Sequence, residues 1–552
     1  MNLEIIEHHP QWVLEAFRRG EFDGLEVIGE ADERAFFELA IREQMLERLA
    51  ASMPTARKKE EVPRWFELAA NMSLKLHVEN SFYALERVIR CGGLLKALPP
   101  GMAHKWLNPE TKALELNCQG FNGKNHYDRT TPCDQDTLRK AALDVPAEQW
   151  TQWFNTEVQQ TFQAYGFFDP AGIFIGDGSY LFVPDNAAYE GSQVLWFDEH
   201  NHPVDYEKLN PVQRKKAHRE RCYKMVTLLH LRGKTPCSVY AAVALVKGGA
   251  HEGPVLFELV KHFVATVGVG VMKRLLLDRA FIDGVMISHF KQILEVDVLI
   301  PIKKNLDLWQ DAWALAKQQR WVEEPKPKPK PSPEPANRPQ VIRRREAKRQ
   351  KTLRQRKQAQ PPVAPAEQHV RTEVCALADF RSWSSCRVPL QVALIREVYG
   401  DGHTQEWALL DTAPITDAVA TKRQYGLRTQ IEERHRTLKC FHDLSDFRSR
   451  RFNVITFQVV MILLTYTLRQ WQLWKCLEEE LASSHPNKIR RNLNLYDQYI
   501  VIYYQGAYAQ MPLLTFTREV LRLEPEARAK ALVIVQRLEQ SMLCPMENLR
   551  PP

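Results

Sequence analysis

The sequence has no C-x-x-C pair and no cysteine at zinc-ligand spacing from a histidine. Its ten cysteines fall singly at 91, 118, 133, 222, 237, 375, 386, 440, 476 and 544. That scatter excludes a disulfide framework or zinc module as the organising device and leaves reduced thiols, as expected of a cytoplasmic protein. The opening residues, MNLEIIEHHPQWVLEAF, lack the charged-then-apolar order of a signal peptide, so secretion is not expected. No apolar run reaches the ~20 residues that span a bilayer. The nearest, Phe452 to Leu468, contains Asn453, Thr456, Gln458, Thr465 and Thr467 and reads as a buried core helix, with no membrane partner. Surplus charge is also missing from most of the chain. Residues 326–357 hold 13 Lys or Arg against 2 Glu, a net +11 in a chain whose total is +8, so everything else is net −3. The basic pI describes one stretch and not the folded domains.

With 552 residues the chain is too long for one core and suggests three or four units. Residues 1–165 read as an all-α N-terminal domain: 33–53, 79–98 and 147–168 repeat apolar side chains at three- and four-residue steps. Between them lies a polar loop in which Lys124, His126, Tyr127 and Arg129 either meet phosphates or simply face solvent. From 166 to 305 the pattern becomes mixed α/β. Ile173 to Pro184, Cys222 to Gly233, Ser238 to Gly249 and Val298 to Lys304 read as strands, and 254–267 and 283–294 as helices. Residues 306–420 read as a β-rich insertion, with two strands around a Gly-Asp-Gly turn between Cys386 and Leu410. Inside it, 324–368 is Pro-rich and then basic, too poor in apolar residues to pack, and is expected to be a disordered tether. It serves either as a solubilising linker or as a DNA-gripping arm. Residues 421–475 return to the α/β domain, and 476–552 read as a helical C-terminal region that completes the core or mediates subunit contact.

The chemistry concentrates in YGLRTQIEERHRTLK, Tyr425 to Lys439. On one continuous helix Tyr425, Arg428, Glu432 and Lys439, at offsets 0, 3, 7 and 14, share an arc of roughly 60°. Leu427, Ile431 and Leu438 form an adjoining stripe able to pack on a core. The plain alternative is a solvated ladder in which Glu432 pairs with Arg428 and Arg436.

The spacing Y-x2-R-x3-E-x6-K resembles the signature of the DDE insertion-sequence transposases of the IS-four type. That resemblance requires two aspartates upstream, the first on the opening strand of an RNase H-like mixed sheet and the second near the end of a later strand. GDGSYLFV, with Asp177, and LLLDRAFID, with Asp278, resemble those surroundings. Each has a local alternative: Asp177-Gly178 is a hairpin-turn dipeptide, and Asp278 is placed to cap a helix, with Asp283 as a rival acid.

The resemblance implies that Asp177, Asp278 and Glu432 are catalytic and bind two Mg²⁺ ions, with Mn²⁺ as a substitute, and that Tyr425, Arg428 and Lys439 hold DNA phosphates. It implies cut-and-paste transposition: water frees a 3′-hydroxyl at the element's end, and that hydroxyl attacks the opposite strand or target DNA. Implied partners are double-stranded DNA, as terminal inverted repeats and target, and a second copy of the chain in a homodimeric DNA complex in a prokaryotic cytoplasm. Carboxylates suit this work because Mg²⁺ prefers oxygen, and paired ions neutralise both attacking and leaving oxygens of a phosphodiester. Trp383 and Trp407 in the insertion are core residues or base-stacking surfaces. The rival reading is a catalytically silent, transposase-derived DNA-binding protein.

Overall fold

The computed structural model describes residues 7–28, 31–90, 94, 98, 102–107, 114–122, 129, 131–233, 237–325, 369–475 and 499–542. Of the tether expected at 324–368, Glu324 is ordered by ion pairs to Lys422 and Arg423, while 326–368 and the phosphate candidates Lys124, His126 and Tyr127 lie outside the described residues. The chain divides into two compact units, 1–272 with 430–552, and 273–429.

The first unit opens with β1 (Glu7–His8), α1 (Pro10–Arg18) and β2 (Gly24–Ile28), followed by α2 (Ala31–Arg42) and α3 (Met45–Ser52). These last two were expected as one helix, but Gln44 between them takes a left-handed conformation, φ 56°, and breaks it. Next come α4 (Arg64–Leu76), α5 (Leu85–Arg90), a hairpin of β3 (Ala103–Leu107) and β4 (Leu114–Cys118), and α6 (Gln135–Asp144), whose start is capped by Asp134. α7 (Ala147–Trp153) runs into α8 (Gln159–Ala164) through a π-helical turn. Helices dominate residues 1–165 as read, but the segment is not all-α. The fourth loop candidate, Arg129, bridges to Cys118, its carbonyl accepting from Cys118 N.

The unit's main sheet is built from β5 (Gly172–Val183), β6 (Gln193–Phe197), β7 (Pro203–Val204), the short α9 (Pro211–Lys216), β8 (His218–Leu231) and β9 (Ser238–Lys247). β8 pairs antiparallel with β5, β6 and β9. It is buried without a break from Cys222 to His230, the pattern of a strand covered on both faces. α10 (Glu252–Val267) covers one of those faces, setting Phe263 against Phe174 and Phe168.

The second unit contains β10 (Met272–Leu277), which begins at the boundary, α11 (Gly284–Gln292), β11 (Asp297–Pro301), α12 (Asp307–Ala316), β12 (Val322–Glu323), β13 (His369–Phe380), β14 (Leu390–Tyr399), β15 (Thr404–Asp411) and α13 (Ala418–Gly426). Strand order is β12-β13-β14-β15-β11-β10. β10 and β11 are parallel, joined across α11, and the other pairs are antiparallel. The Gly-Asp-Gly turn joins β14 to β15 as expected, with Gly402 at φ 84°. Two ties hold this sheet together internally. The Arg274 guanidinium grips the buried Asp411 carboxylate with both terminal nitrogens, and its Nε donates to Gln424 Oε1 of α13 at 2.9 Å.

The chain then returns to the first unit with α14 (Thr429–Phe441), which begins at the boundary, and α15 (Phe452–Lys475). By length and composition α15 could cross a membrane, but 83% of its most apolar window is buried inside the protein, so it is the core helix the sequence indicated. Three of its polar residues bind the protein interior: Asn453 Oδ1 accepts from Ala147 N, Gln458 donates to Asp446 O, and Thr467 Oγ1 accepts from Tyr240 N. After it come β16 (Tyr499–Tyr504), β17 (Ala507–Pro512), α16 (Leu513–Arg522) and α17 (Pro525–Met542). The C-terminal region is therefore not purely helical. Its hairpin joins the start of the chain in a sheet ordered β1-β17-β16-β2, around a core that includes Phe17, Leu25, Ile502 and Phe516.

Candidate active site

Asp177 sits at the middle of β5, directly opposite Thr227 of β8. The local hairpin alternative fails, because the strand runs on through Gly178 to Val183 with every residue paired to β8. The glycine has a different reason. A Cβ at Gly178 would strike the Glu252 carboxylate, which the first residue of α10 lays against the back of the strand. Since side chains alternate across a strand, Asp177 points to the opposite face from Glu252. Its Oδ1 accepts from Gly178 N at 2.9 Å.

α14 packs on the Asp177 face. Lys439 Nζ donates to Ser179 Oγ at 2.7 Å, and Ser179 follows Asp177 by one pleat. One turn back, His435 Nε2 and Thr227 Oγ1 share a hydrogen bond of 2.9 Å, the donor set by the imidazole tautomer. The His435 ring also stacks on Tyr240 of β9. Burial pulls the Lys439 ammonium down to about 8, with the Asp177 charge pulling the other way. Burial also pulls His435 down to about 3, and the Lys439 charge adds to that. The fixed groups here are thus a strand carboxylate, a lysine on its edge and a neutral imidazole. Glu432, in the first turn of α14, is exposed, while Arg436 pairs with Glu433 at 2.5 Å.

The single helix expected from Tyr425 to Lys439 is broken. α13 ends at Gly426, Leu427 N and Arg428 N turn back onto Gln424 O and Tyr425 O, and α14 starts at Thr429. Tyr425 therefore lies on α13, Arg428 between the helices, and Glu432 and Lys439 on α14, so the one continuous helix that the 60° arc presupposes is absent. Leu427, expected on the packing stripe, is 37% exposed, whereas Ile431 and Leu438 are fully buried. Within the second unit α13 is fixed by Arg274 on Gln424 and by Lys422 and Arg423 on Glu324, and the Tyr425 ring lies 6.3 Å from that of Trp407.

Asp278 follows β10 immediately and stands at the cap position of a short 3₁₀ turn, Arg279–Phe281, but its side chain makes no capping hydrogen bond. The capping is done by Asp283, whose Oδ1 accepts from Met286 N at 2.9 Å at the start of α11. The rival acid is occupied by capping, whereas the Asp278 side chain caps nothing among the described residues.

Sequence reasoning missed Ser179, Thr227, His435, Glu252 and Arg274. Only His435 carried a signal, sharing the buried side of its helix with Ile431 and Leu438; the others depend on pairing between distant segments. The donors on the candidate acids are all carboxylate oxygens, the type a hard divalent cation takes. Among the described residues no three His, Cys, Asp or Glu side chains stand together as a ready metal-holding group.

These features define a mixed α/β protein with carboxylates on its strands and a cation-bearing helix laid over one of them. The family model of the transposase DDE domain matches residues 189–468, just over half of the chain, and the chain belongs to that family. Its function is that of a transposase, which acts on DNA. The match begins beyond Asp177 and takes in Asp278, Tyr425, Arg428, Glu432 and Lys439. No curated protein matches the chain.

Proposed function

We propose that the chain is the transposase of an insertion sequence of the YREK type, which cuts DNA at the element's ends and joins the freed 3′-hydroxyl to a target, working as a homodimer on paired ends. The antiparallel β9-β8-β5 strands and the parallel β10-β11 pair are the pieces that an RNase H-like sheet requires. The observation that carries the reading is the seating of α14 on the Asp177 face of β5 through Lys439–Ser179 and His435–Thr227. A helix bearing Glu432 is thereby held on the strand that bears Asp177.

In this reading Asp177, Asp278 and Glu432 would hold two Mg²⁺ ions, and their oxygen donors fit that role. Bound divalent ions would supply charge neutralisation and activated water for phosphodiester cleavage. Lys439, fixed by Ser179 beside Asp177, holds a phosphate next to the scissile bond, and Tyr425 and Arg428 hold further phosphates. The neutral His435 keeps the helix seated without adding a charge that would compete for the carboxylates.

The test is cleavage of duplex DNA carrying the element's ends, with and without Mg²⁺. Metal-dependent nicking that leaves a 3′-hydroxyl is expected. Tight binding of those ends with no cleavage under any divalent ion would leave the silent DNA-binding protein as the better account.

A further inference from the structure

Between β5 and β8 the chain forms an arm at the edge of the sheet, β6 paired to β8, β7 paired to β6, and then α9, which is ordered without being buried. All six side chains of α9 are exposed, Val212 to 68%. Short helices are ordinarily held by an apolar face against a core, but polar contacts and ring stacking hold this one. Asn210 Oδ1 accepts from Gln213 N at 2.9 Å and Gln213 Oε1 accepts from Asn210 N at 3.1 Å, a reciprocal cap, with Pro211 fixing the first helical residue. The Trp196 and Tyr206 rings stack at 4.1 Å, and the Arg214 guanidinium lies 5.3 Å over Tyr206 while donating to Glu207 O at 2.8 Å.

The α9 end of this frame displays positive charge, whereas residues 193–207 hold four acids, Asp198, Glu199, Asp205 and Glu207, and no Lys or Arg. Lys208 to Arg219 contains five Lys or Arg and no Asp or Glu, in a chain that is net −3 outside its tether. Among the described residues Lys215 has no acidic partner. Lys216 pairs with Glu199 at 3.0 Å and Arg219 with Asp185 at 3.8 Å, both in solvent, where a phosphate can take the place of the carboxylate. The arm also has a fixed relation to the site, because β8 runs without interruption from His218 to Thr227, the residue facing Asp177. Nine strand residues cover about 30 Å, the length of roughly nine base pairs of duplex.

We infer that this arm is a second DNA-holding surface, on which Lys215, Lys216 and Arg219 take duplex phosphates roughly one helical turn from the bond cut at Asp177. The location of the cut rests on the transposase reading above; the charge and rigidity of the arm do not. A rigid row of cations releases counterions on binding and reads no bases, so it fixes how far the duplex extends from the site and in which register.

The experiment uses the full chain and a random-sequence duplex of about 30 bp, without metal, across roughly 50 to 200 mM salt. Lys215→Gln, Lys216→Gln and Arg219→Gln together should flatten the slope of log affinity against log salt by about two to three, and Lys215→Gln alone by about one. The single variant alters an exposed side chain with no ion pair among the described residues, so it keeps the test valid if the triple variant folds poorly. Slopes parallel to that of the unmodified protein overturn the inference. A protein that binds with the expected slopes but never cuts sinks the transposase reading and leaves the arm standing. One that cuts with unaltered slopes does the reverse.

Discussion

Thr227 of β8 and His435 of α14 are joined by a buried hydrogen bond of 2.9 Å at the register position facing Asp177. The bond seats the helix on the strand, and an unpaired polar group left in that core costs ~1–3 kcal/mol. Thr227→Val keeps the shape and removes the hydroxyl, so it should lower stability by about that amount, while Thr227→Ser recovers most of it. In denaturant titrations and cleavage assays on folded protein, the Val variant should also cut saturated DNA more slowly than the Ser variant. Equal rates would mean that the bond supports folding alone.

Acid should act through the same ring. His435 is held neutral down to about pH 3, whereas an unfolded chain protonates its imidazole near 6.5. Between those values the unfolded state binds the additional proton, so this group makes stability rise with pH and removes it as pH falls through the window. His435→Gln should show a flatter dependence of melting temperature on pH than the unmodified protein between roughly pH 6 and 4. Parallel curves would show that the imidazole is protonated where it sits.

The four acids near the motifs should separate cleanly. Asp177→Asn, Asp278→Asn and Glu432→Gln should each abolish metal-dependent cleavage with little change in folding or DNA binding, since each removes charge and almost no volume. Asp283→Ala should cost ~1 kcal/mol through loss of the α11 cap and still cut. Cleavage by the Asp278 variant together with inactivity of a folded Asp283 variant would exchange their roles.

Gly178→Ala places a methyl group against the Glu252 carboxylate, which stands 3.8 Å from Lys224. A flexible carboxylate can move, so the cost should be modest, ~1 kcal/mol. Glu252→Ala should suppress it in a double-mutant cycle. A cost unchanged in the Glu252→Ala background would place the strain in the backbone.

Replacing residues 326–357 with a neutral Gly/Ser linker removes a net +11. The variant should fold and cut, yet bind nonspecific duplex more weakly and with a flatter salt dependence. Superimposable titrations would make the tether a spacer.

Which parts of this architecture were legible follows from what is local. β5, β8, β9, β11, α10 and α11 could be read because alternation and three-to-four periodicity are properties of a short segment. α15 was legible as a core helix from the polar residues within its apolar run. The break at Leu427 and Arg428 had one local signal, Gly426, where α13 ends and which is a common helix terminator, and the ties of α13 to Arg274 and Glu324 and of α14 to β5 and β8 hold the two helices in place. Gln44 breaks a helix with no such signal.

The sequence by itself determined the chemical inventory: the motif acids, the cations spaced around Glu432, the concentration of charge in the tether and the main strands and helices between residues 172 and 301. Tertiary structure decided how those residues are used. It turned Asp177-Gly178 from a turn into mid-strand by pairing the whole of that segment with β8, assigned capping to Asp283 instead of Asp278, and joined strands from residues 7–28 and 499–512 in one sheet. The physical reason is the same in each case. A side chain's local options differ by about a kcal/mol, and contacts from segments tens to hundreds of residues away are large enough to select among them.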